Sequence, residues 1–258
     1  MWDNFTKYIN VVFELDQQQE QFIFSCELGE VEVVDILLQD GRVDPSVLDN
    51  YAIRWASGYG HVDVVDRLLQ DGRVDPSAYD NQAIRIASQN GHVAVVDRLL
   101  QDDRVDPSAN NNYAICWASE NGNIAVVDRL LQDNRTDPSA INNYAIRYAS
   151  YSGHVSVVNR LLQHPRVDPS ADNNFAIRIA SRYGHIDVVD RLLQDSRVDP
   201  SVNNNYAIRL ASQNGHVAVV ERLLQDPRVD PSADNNLAIR ESSENGHIAV
   251  VNLSLIHI

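Results

Sequence analysis

The most constraining feature of this chain is an Asp-Pro dipeptide that recurs seven times at a constant interval of 31 residues. The prolines are Pro45, Pro76, Pro107, Pro138, Pro169, Pro200 and Pro231. Around each of them lies the consensus N-x-A-I-R-x-A-S-x-x-G-H-x-x-V-V-x-R-L-L-Q-D-x-R-V-D-P-S. A fixed period of this size indicates one small supersecondary unit copied in tandem, in which neighbouring copies bury each other's apolar surface. We therefore predict a solenoid, an architecture that usually binds other molecules rather than catalysing a reaction.

The copy that runs from Asn50 to Asp80 predicts two short helices. Apolar side chains between Ala52 and Ala56 have the spacing of one helix face. Asn50 is expected to cap the start of this helix, and Gly60 is expected to end it in a left-handed conformation. A second helix is predicted to begin near His61, with apolar stripes on two sides that pack on its own first helix and on the next repeat. Helices this short are marginal alone, so stacking must supply the missing burial.

The segment between the second helix of one copy and the first helix of the next, Gln70 to Ser77, is dense in turn-forming residues. Proline fixes φ for a turn, and Asp75 is expected to accept hydrogen bonds from backbone N–H groups just beyond it. Each unit is thus predicted as helix, tight turn, helix and loop. The predicted fold class is all-α, a helix-turn-helix solenoid with short inter-repeat loops.

Three segments are predicted along the chain. Residues 19–252 form an array of about seven and a half repeats of 31 residues. Residues 1–18 are expected to be a helical cap on the first repeat, because apolar residues there have helical spacing without the repeat consensus: Phe5, Tyr8, Ile9, Val12 and Phe13. Residues 253–258 depart from the repeat register and resemble a non-native tail, so we expect the natural chain to continue beyond them.

The net charge of the chain is −15, and its arginines recur at fixed positions of the repeat. Lys7 is the only lysine, and nineteen of the twenty arginines occupy three fixed repeat positions, Arg182 being the exception. Acidic residues neighbour them in sequence, so ion pairs are expected rather than a basic patch, which disfavours nucleic-acid binding. Pairs such as Asp63 and Arg67, four apart on the second helix, should each add only tenths of a kcal/mol and help to keep repeats in register.

Two cysteines, Cys26 and Cys116, occupy different repeat positions 90 residues apart. A disulfide framework is therefore not expected, and a reducing compartment is the natural interpretation. No stretch approaches the roughly 18 apolar residues of a membrane span, and the N-terminus lacks a secretory signal. These observations predict an intracellular protein, cytoplasmic or nuclear, that is monomeric and does not bind membranes.

The segment Gly91–Leu100 resembles the G-H-x-x-V-V-x-x-L-L core of ankyrin repeats, and Ala83–Ser88 is similar to the T-P-L-H-x-A-A motif of that family. Seven copies over roughly residues 19–251 carry the resemblance, which is strongest to divergent arrays of large DNA viruses and protists. Ala83 and Arg85 stand where the family has proline and histidine, and the period is two residues shorter than usual. The resemblance implies stacked helix pairs, with a stunted loop in place of the family's β-hairpin finger.

The residues that could carry chemistry recur with the repeat. Six histidines share one position, with asparagine there once: His61, His92, His154, His185, His216 and His247, and Asn123. Stacked helices lie about 8–10 Å apart, whereas zinc ligands lie within about 2.0–2.3 Å of one ion. We therefore expect structural hydrogen bonds at the start of the second helix and no cofactor or metal. Ser150, His154 and Asp168, whose residue types recur in nearly every copy, are expected to be framework rather than a catalytic triad. Cys116 is expected to be a tolerated substitution rather than a reactive thiol.

The positions that vary between copies are the candidate binding residues. Two adjacent positions at the end of the first helix and one in the loop change freely. In the ankyrin family such positions lie on or beside the concave recognition face, and tyrosine and arginine are typical of binding hot spots. The resulting candidates are Tyr59, Tyr79, Gln89, Asn90, Glu120, Asn121, Tyr151, Arg182, Tyr183, Gln213 and Asn214. Unconstrained surface drift is the alternative explanation of the same variation.

Three functions remain open at this point. The first is a scaffold that recognises an unknown protein partner through the concave face, without covalent chemistry. The second is the substrate-recognition module of a larger adaptor, for example one linked to a ubiquitin ligase, with an effector domain outside this chain. The third is a small hydrolase or metal site, which the copying of its residues in every repeat disfavours.

Overall fold

The computed structural model describes residues 16–256, with side chains up to residue 253. Over this range the chain forms helices that alternate between a first and a second helix of each repeat. The first helices are α1 (Gln17–Leu28), α3 (Val47–Tyr59), α5 (Ala78–Asn90), α7 (Ala109–Glu120), α9 (Ala140–Tyr151), α11 (Ala171–Tyr183), α13 (Val202–Gln213) and α15 (Ala233–Glu244). The second helices are α2 (Val31–Asp40), α4 (Val62–Leu69), α6 (Val93–Leu99), α8 (Ile124–Leu130), α10 (Val155–Leu162), α12 (Ile186–Leu193), α14 (Val217–Leu224) and α16 (Ile248–Ile256).

The chain divides into two compact units, Met1–Ala114 and Ile115–Ile258, which we call the N-terminal and C-terminal units. The boundary falls inside α7. Within each unit a first helix packs on its own second helix, and like helices of successive repeats pack side by side. Residues 16–256 contain no β-strand. The predicted all-α class of stacked helix pairs with short loops is confirmed.

The core of each unit is assembled from the same few consensus positions. In the C-terminal unit the isoleucine of A-I-R is fully buried at Ile146 and Ile177, and the second helix contributes Val158 and Leu161, which are also fully buried. The second helices therefore bury apolar residues towards both their own repeat and the next, as the two stripes in the sequence predict. No helix in the described range is long and apolar enough to cross a membrane. The predicted cap over residues 1–18 lies largely outside the described residues.

The first turn of each first helix from α3 onwards contains an unusual backbone feature. Leu48, Asp49 and Asn50 have φ angles of 56°, 54° and 57°, so three consecutive residues adopt the left-handed conformation. The same three positions are left-handed in the six later first helices. Asparagine and aspartate tolerate this conformation better than other residues with a Cβ atom, and they fill the second and third positions in all seven of these turns. This left-handed turn is the stunted loop predicted from the short period.

The third residue of the left-handed turn connects a first helix to the loop that leads into the next copy. The Oδ1 atom of Asn50 accepts a hydrogen bond from the N–H of Asp75 at 2.7 Å, and Asn174 accepts from the N–H of Asp199 at 2.8 Å. The prediction that Asn50 caps its own helix is therefore wrong. In the first repeat Gln19 occupies the equivalent position and bonds both the N–H and the C=O of the aspartate 25 residues ahead. The expected acceptor role of Asp75 is confirmed, because it accepts from both the N–H and the Oγ of the following serine.

The arginine of A-I-R holds the left-handed turn in place. Arg178 donates from Nε to the C=O of Asn173 and from Nη2 to the C=O of Asp172, both at 2.9 Å. Arg85 makes the same pair of bonds to the turn of its own repeat. A guanidinium suits this task because its planar fork can serve two neighbouring carbonyl groups at once. The arginine therefore has a structural role in this short-period repeat at the position of the family's histidine.

The arginines of the second helices pair across repeats rather than within a helix. The Nε atom of Arg67 donates to Asp35 of the preceding repeat at 2.5 Å, and Arg160 pairs in the same way with Asp128 at 2.5 Å. The prediction that Arg67 pairs with Asp63 is therefore wrong. These ion pairs join successive repeats, which supports the idea that they maintain register. Their side chains are partly exposed, so solvent screening leaves each pair only a small contribution to stability.

Candidate protein-binding surface

The candidate residues from the sequence lie at two places. Most of them lie at the C-terminal end of a first helix, whereas Tyr79 lies in the left-handed turn at the beginning of one. The four candidate tyrosines are all solvent-exposed, from 40% for Tyr151 to 57% for Tyr79, with Tyr59 and Tyr183 between them. The remaining candidates are exposed except for half-buried Glu120. The structure therefore does not gather the whole predicted set into one patch.

In the N-terminal unit the two candidate tyrosines, Tyr59 and Tyr79, make different contacts. The ring of Tyr59 lies 5.8 Å from that of Trp55 and 6.2 Å from that of His61. Tyr79 instead lies 5.0 Å from the guanidinium of Arg54, which belongs to the preceding repeat. These two candidates therefore mark opposite ends of the first helices.

The candidate asparagines are engaged with the backbone. Asn90 donates from Nδ2 to the C=O of Gly58 in the preceding repeat at 2.8 Å. Asn121 and Asn214 each donate to a carbonyl one turn earlier in their own helix, also at 2.8 Å. The carbonyls of Trp117 and Leu210 also accept the backbone N–H of the same asparagine, so each side chain adds a second donor to a carbonyl in the last turn of its helix. The asparagines therefore have a structural role at this edge.

Five aromatic rings of the C-terminal unit form a continuous group, which we call the tyrosine cluster: Tyr144, Tyr148, Tyr151, Phe175 and Tyr183. Tyr144 stacks on Tyr148 with ring centroids 3.9 Å apart, and Tyr148 lies 6.1 Å from Tyr151 and 6.3 Å from Phe175. Tyr151 and Tyr183, from successive repeats, meet edge to face at 4.9 Å. Stacked and edge-to-face arrangements of this kind are favourable beyond the burial of apolar area. The cluster is thus a packed aromatic surface with two exposed tyrosines at its edge.

Polar groups fix the edges of the tyrosine cluster. The hydroxyl of Tyr144 donates to Oε2 of Glu120 at 2.6 Å, and burial together with this carboxylate raises the pKa of Tyr144. The neighbouring phenol of Tyr183 raises the pKa of Tyr151. The exposed guanidinium of Arg182 lies 5.8 Å from the ring of Tyr183. The cluster therefore combines aromatic rings with one carboxylate that is already hydrogen-bonded and one exposed cation.

Sequence reasoning identified Tyr151, Arg182 and Tyr183 but missed Tyr144, Tyr148 and Phe175. The missed residues lie at the two unspecified positions of N-x-A-I-R-x-A-S. A signal was present, because residues 144, 148 and 151 are spaced i, i+4 and i+7 and so share one helix face. Aromatic residues at that spacing could have been grouped with the variable positions as candidate binding residues.

The repeated histidines connect repeats. Nε2 of His216 lies 2.9 Å from the C=O of Arg182 in the preceding repeat, and His61, His92, His185 and His247 make equivalent bonds. The ring also packs against the helix-ending glycine: a Cβ atom added to Gly184 would lie 2.6 Å from Nδ1 of His216. The expected structural hydrogen bond is confirmed, although it is made to the neighbouring repeat. No group of three or more potential metal ligands is gathered within the described part of the chain.

The other residues considered for chemistry are also occupied or buried. Ser150 donates from Oγ to the C=O of Ile146 in its own helix at 2.7 Å. Cys116 is buried, and burial raises the pKa of its thiol to about 12. Burial likewise raises the pKa of Cys26. A reactive cysteine needs a lowered pKa and access to solvent, so both thiols have the opposite properties.

The packing of helix pairs and the cross-repeat hydrogen bonds define a tandem helical-repeat protein. A search of curated proteins found no match to the chain. The family model for ankyrin repeats matches in three copies, at residues 22–112, 115–204 and 177–257. The chain therefore belongs to the ankyrin-repeat family, whose members generally serve as protein–protein interaction modules without enzymatic activity.

Proposed function

We propose that this chain recognises a protein partner through the face of its first helices, the concave face in ankyrin-repeat proteins, with the tyrosine cluster of the C-terminal unit as the anchor. The observation that carries the proposal is the packed group of five aromatic rings with Tyr151 and Tyr183 exposed at its edge. Aromatic side chains dominate interface energetics because each buries a large area with few rotatable bonds. The recognition involves shape and hot-spot complementarity without covalent chemistry.

The framework supports this role because it leaves few other groups for a partner. The consensus arginines, asparagines and histidines make hydrogen bonds between or within repeats, as Arg178, Asn174 and His216 do. Arginines held by carbonyl and carboxylate groups do not make a basic groove, so a nucleic-acid partner is disfavoured. The two buried free thiols favour a reducing compartment, cytoplasm or nucleus, for this monomeric module.

The test is affinity capture from a cell lysate with the intact chain and with a Tyr151→Ala/Tyr183→Ala variant. We expect specific partners to be retained by the wild-type chain and lost from the variant, because truncation of hot-spot aromatics weakens binding strongly. The matched control is Asp187→Ala, which changes an exposed residue at the start of a second helix. Partners retained equally by all three proteins would refute the assignment of the surface. Co-capture of ubiquitin-ligase subunits would favour the adaptor alternative.

A further inference from the structure

We propose that the tyrosine cluster binds a segment of the partner that places a carboxylate on Arg182 next to an apolar or aromatic side chain on Tyr151 and Tyr183. This inference rests on the proposed function and specifies the chemistry of the segment. It follows from the position of Arg182, from its lack of an acidic partner, and from the charges around it.

Arg182 is the one arginine outside the three framework positions of the repeat. Gln89 and Gln213 occupy its position in other copies, so the fold does not require a cation there. The side chain is exposed, and its guanidinium lies over the ring of Tyr183. It has no carboxylate partner among the described residues, in contrast to Arg160 and its aspartate. Arg182 is therefore a cation available at the edge of the aromatic surface.

The geometry makes an anion necessary for any close-fitting partner. A surface that covers the ring of Tyr183 also covers the guanidinium 5.8 Å away. A covered guanidinium without a counter-charge is strongly unfavourable. Glu120 does not supply this counter-charge, because its carboxylate accepts a hydrogen bond from the hydroxyl of Tyr144 at 2.6 Å. The partner must then supply the acceptor, and a carboxylate matches the planar fork of arginine best.

The overall charge limits what surrounds that carboxylate. The chain carries a net charge of −15, so a segment with many acidic residues is repelled as it approaches. A neutral or basic segment with one acidic residue is attracted at long range and satisfies Arg182 at short range. The segment is thus an aromatic or apolar residue beside a single aspartate or glutamate, in a neutral or basic context.

The experiment uses a displayed library of random dodecapeptides selected against the intact wild-type chain. We expect enriched peptides to contain Asp or Glu next to an aromatic or large apolar residue. Affinities of the selected peptides are then measured by fluorescence polarisation for the wild type, Arg182→Gln and Arg182→Glu. We expect binding to weaken about tenfold in Arg182→Gln and further in Arg182→Glu. Selection on Arg182→Glu should enrich Lys or Arg where the wild type enriched an acid.

The outcomes separate this inference from the proposed function. Peptides that weaken with Tyr151→Ala/Tyr183→Ala but bind Arg182→Gln and Arg182→Glu as tightly as the wild type would overturn the carboxylate assignment and leave the surface intact. Peptides insensitive to the tyrosine substitutions would overturn both. Failure to enrich acidic peptides would also overturn the inference. Because glutamine occupies this position in two other copies, Arg182→Gln should fold normally, which circular dichroism verifies.

Discussion

Replacing Asn174 by alanine tests whether the left-handed turn and its cross-repeat hydrogen bond stabilise the fold. Asn174 is 6% exposed, has a φ angle of 56°, and accepts the N–H of Asp199 at 2.8 Å. The substitution keeps a Cβ atom in a conformation that alanine disfavours and removes the acceptor of a part-buried N–H. The unfavourable backbone conformation and the lost hydrogen bond therefore both destabilise the folded protein.

The expected loss follows from these two terms. An alanine in the left-handed region costs about 1–2 kcal/mol. Leaving the N–H of Asp199 without its partner costs about 1–3 kcal/mol, and the lower part of this range applies because the bond is only part-buried. Together Asn174→Ala should lower the free energy of unfolding by about 2–4 kcal/mol.

The assay is urea unfolding followed by circular dichroism, with two further variants that separate the terms. Asn174→Gly removes the hydrogen bond but relieves the backbone strain, so it should lose about 1–2 kcal/mol less than alanine does. Asn173→Gly is the matched control: this exposed neighbour has a φ angle of 54° and serves the turn through its backbone. Its stability should remain within about 0.5 kcal/mol of the wild type.

Two results would refute the reasoning. A stability of Asn174→Ala equal to that of the wild type would show that neither the left-handed backbone nor the bond to Asp199 contributes. Equal losses for Asn174→Ala and Asn174→Gly would show that the backbone conformation imposes no cost on alanine.

Three further predictions concern the other contacts between or within repeats. Gly184→Ala should destabilise by about 1–3 kcal/mol more than Gly246→Ala, because both glycines have positive φ but only at Gly184 would a Cβ atom strike a histidine ring; equal losses in urea unfolding would contradict this. Arg160→Leu should cost about 1 kcal/mol or less, and the loss should disappear in about 1 M salt, whereas a loss that persists there would argue against an ion pair. Asp195→Asn should destabilise at neutral pH, because a hydrogen bond from Arg197 lowers the pKa of this carboxyl. Because the folded-state pKa is lowered, the ionised carboxyl stabilises the fold above about pH 4, and this stabilisation is lost as the pH falls through the folded-state pKa. The difference in stability between variant and wild type should therefore shrink in acid, and a pH-independent difference would contradict the pKa shift.

The helix pairs were predictable from the sequence because their signals are local. The glycine that ends each first helix and the apolar stripes of the second helix depend only on neighbouring residues, and Gly60 indeed has the expected positive φ angle of 84°. Asp75 accepts from the two groups just beyond it, as a short-range turn motif does. These features need no knowledge of how repeats pack.

The hydrogen-bond and ion-pair partners of the polar residues were not predictable, because they lie about one repeat length away along the chain. Asn50 has the signature of a helix cap, yet its acceptor is used by an N–H 25 residues ahead. Arg67 has an aspartate four residues before it, yet it pairs with one 32 residues before it. In both cases a local partner and a distant one were chemically equivalent, and the stacking geometry decided between them. The tyrosine cluster was only partly predicted for a similar reason, since the contact between Tyr151 and Tyr183 crosses repeats.

The cross-repeat hydrogen bonds have a consequence for how such a gene can change. They join residues 25, 32 and 34 positions apart, all measured against the same 31-residue spacing. Losing a single codon within one copy would misalign these bonds at once, whereas removing or duplicating a whole copy would restore each donor to an equivalent acceptor. Lineages carrying this sequence are thus expected to vary in copy number through unequal recombination, while indels shorter than a copy are purged.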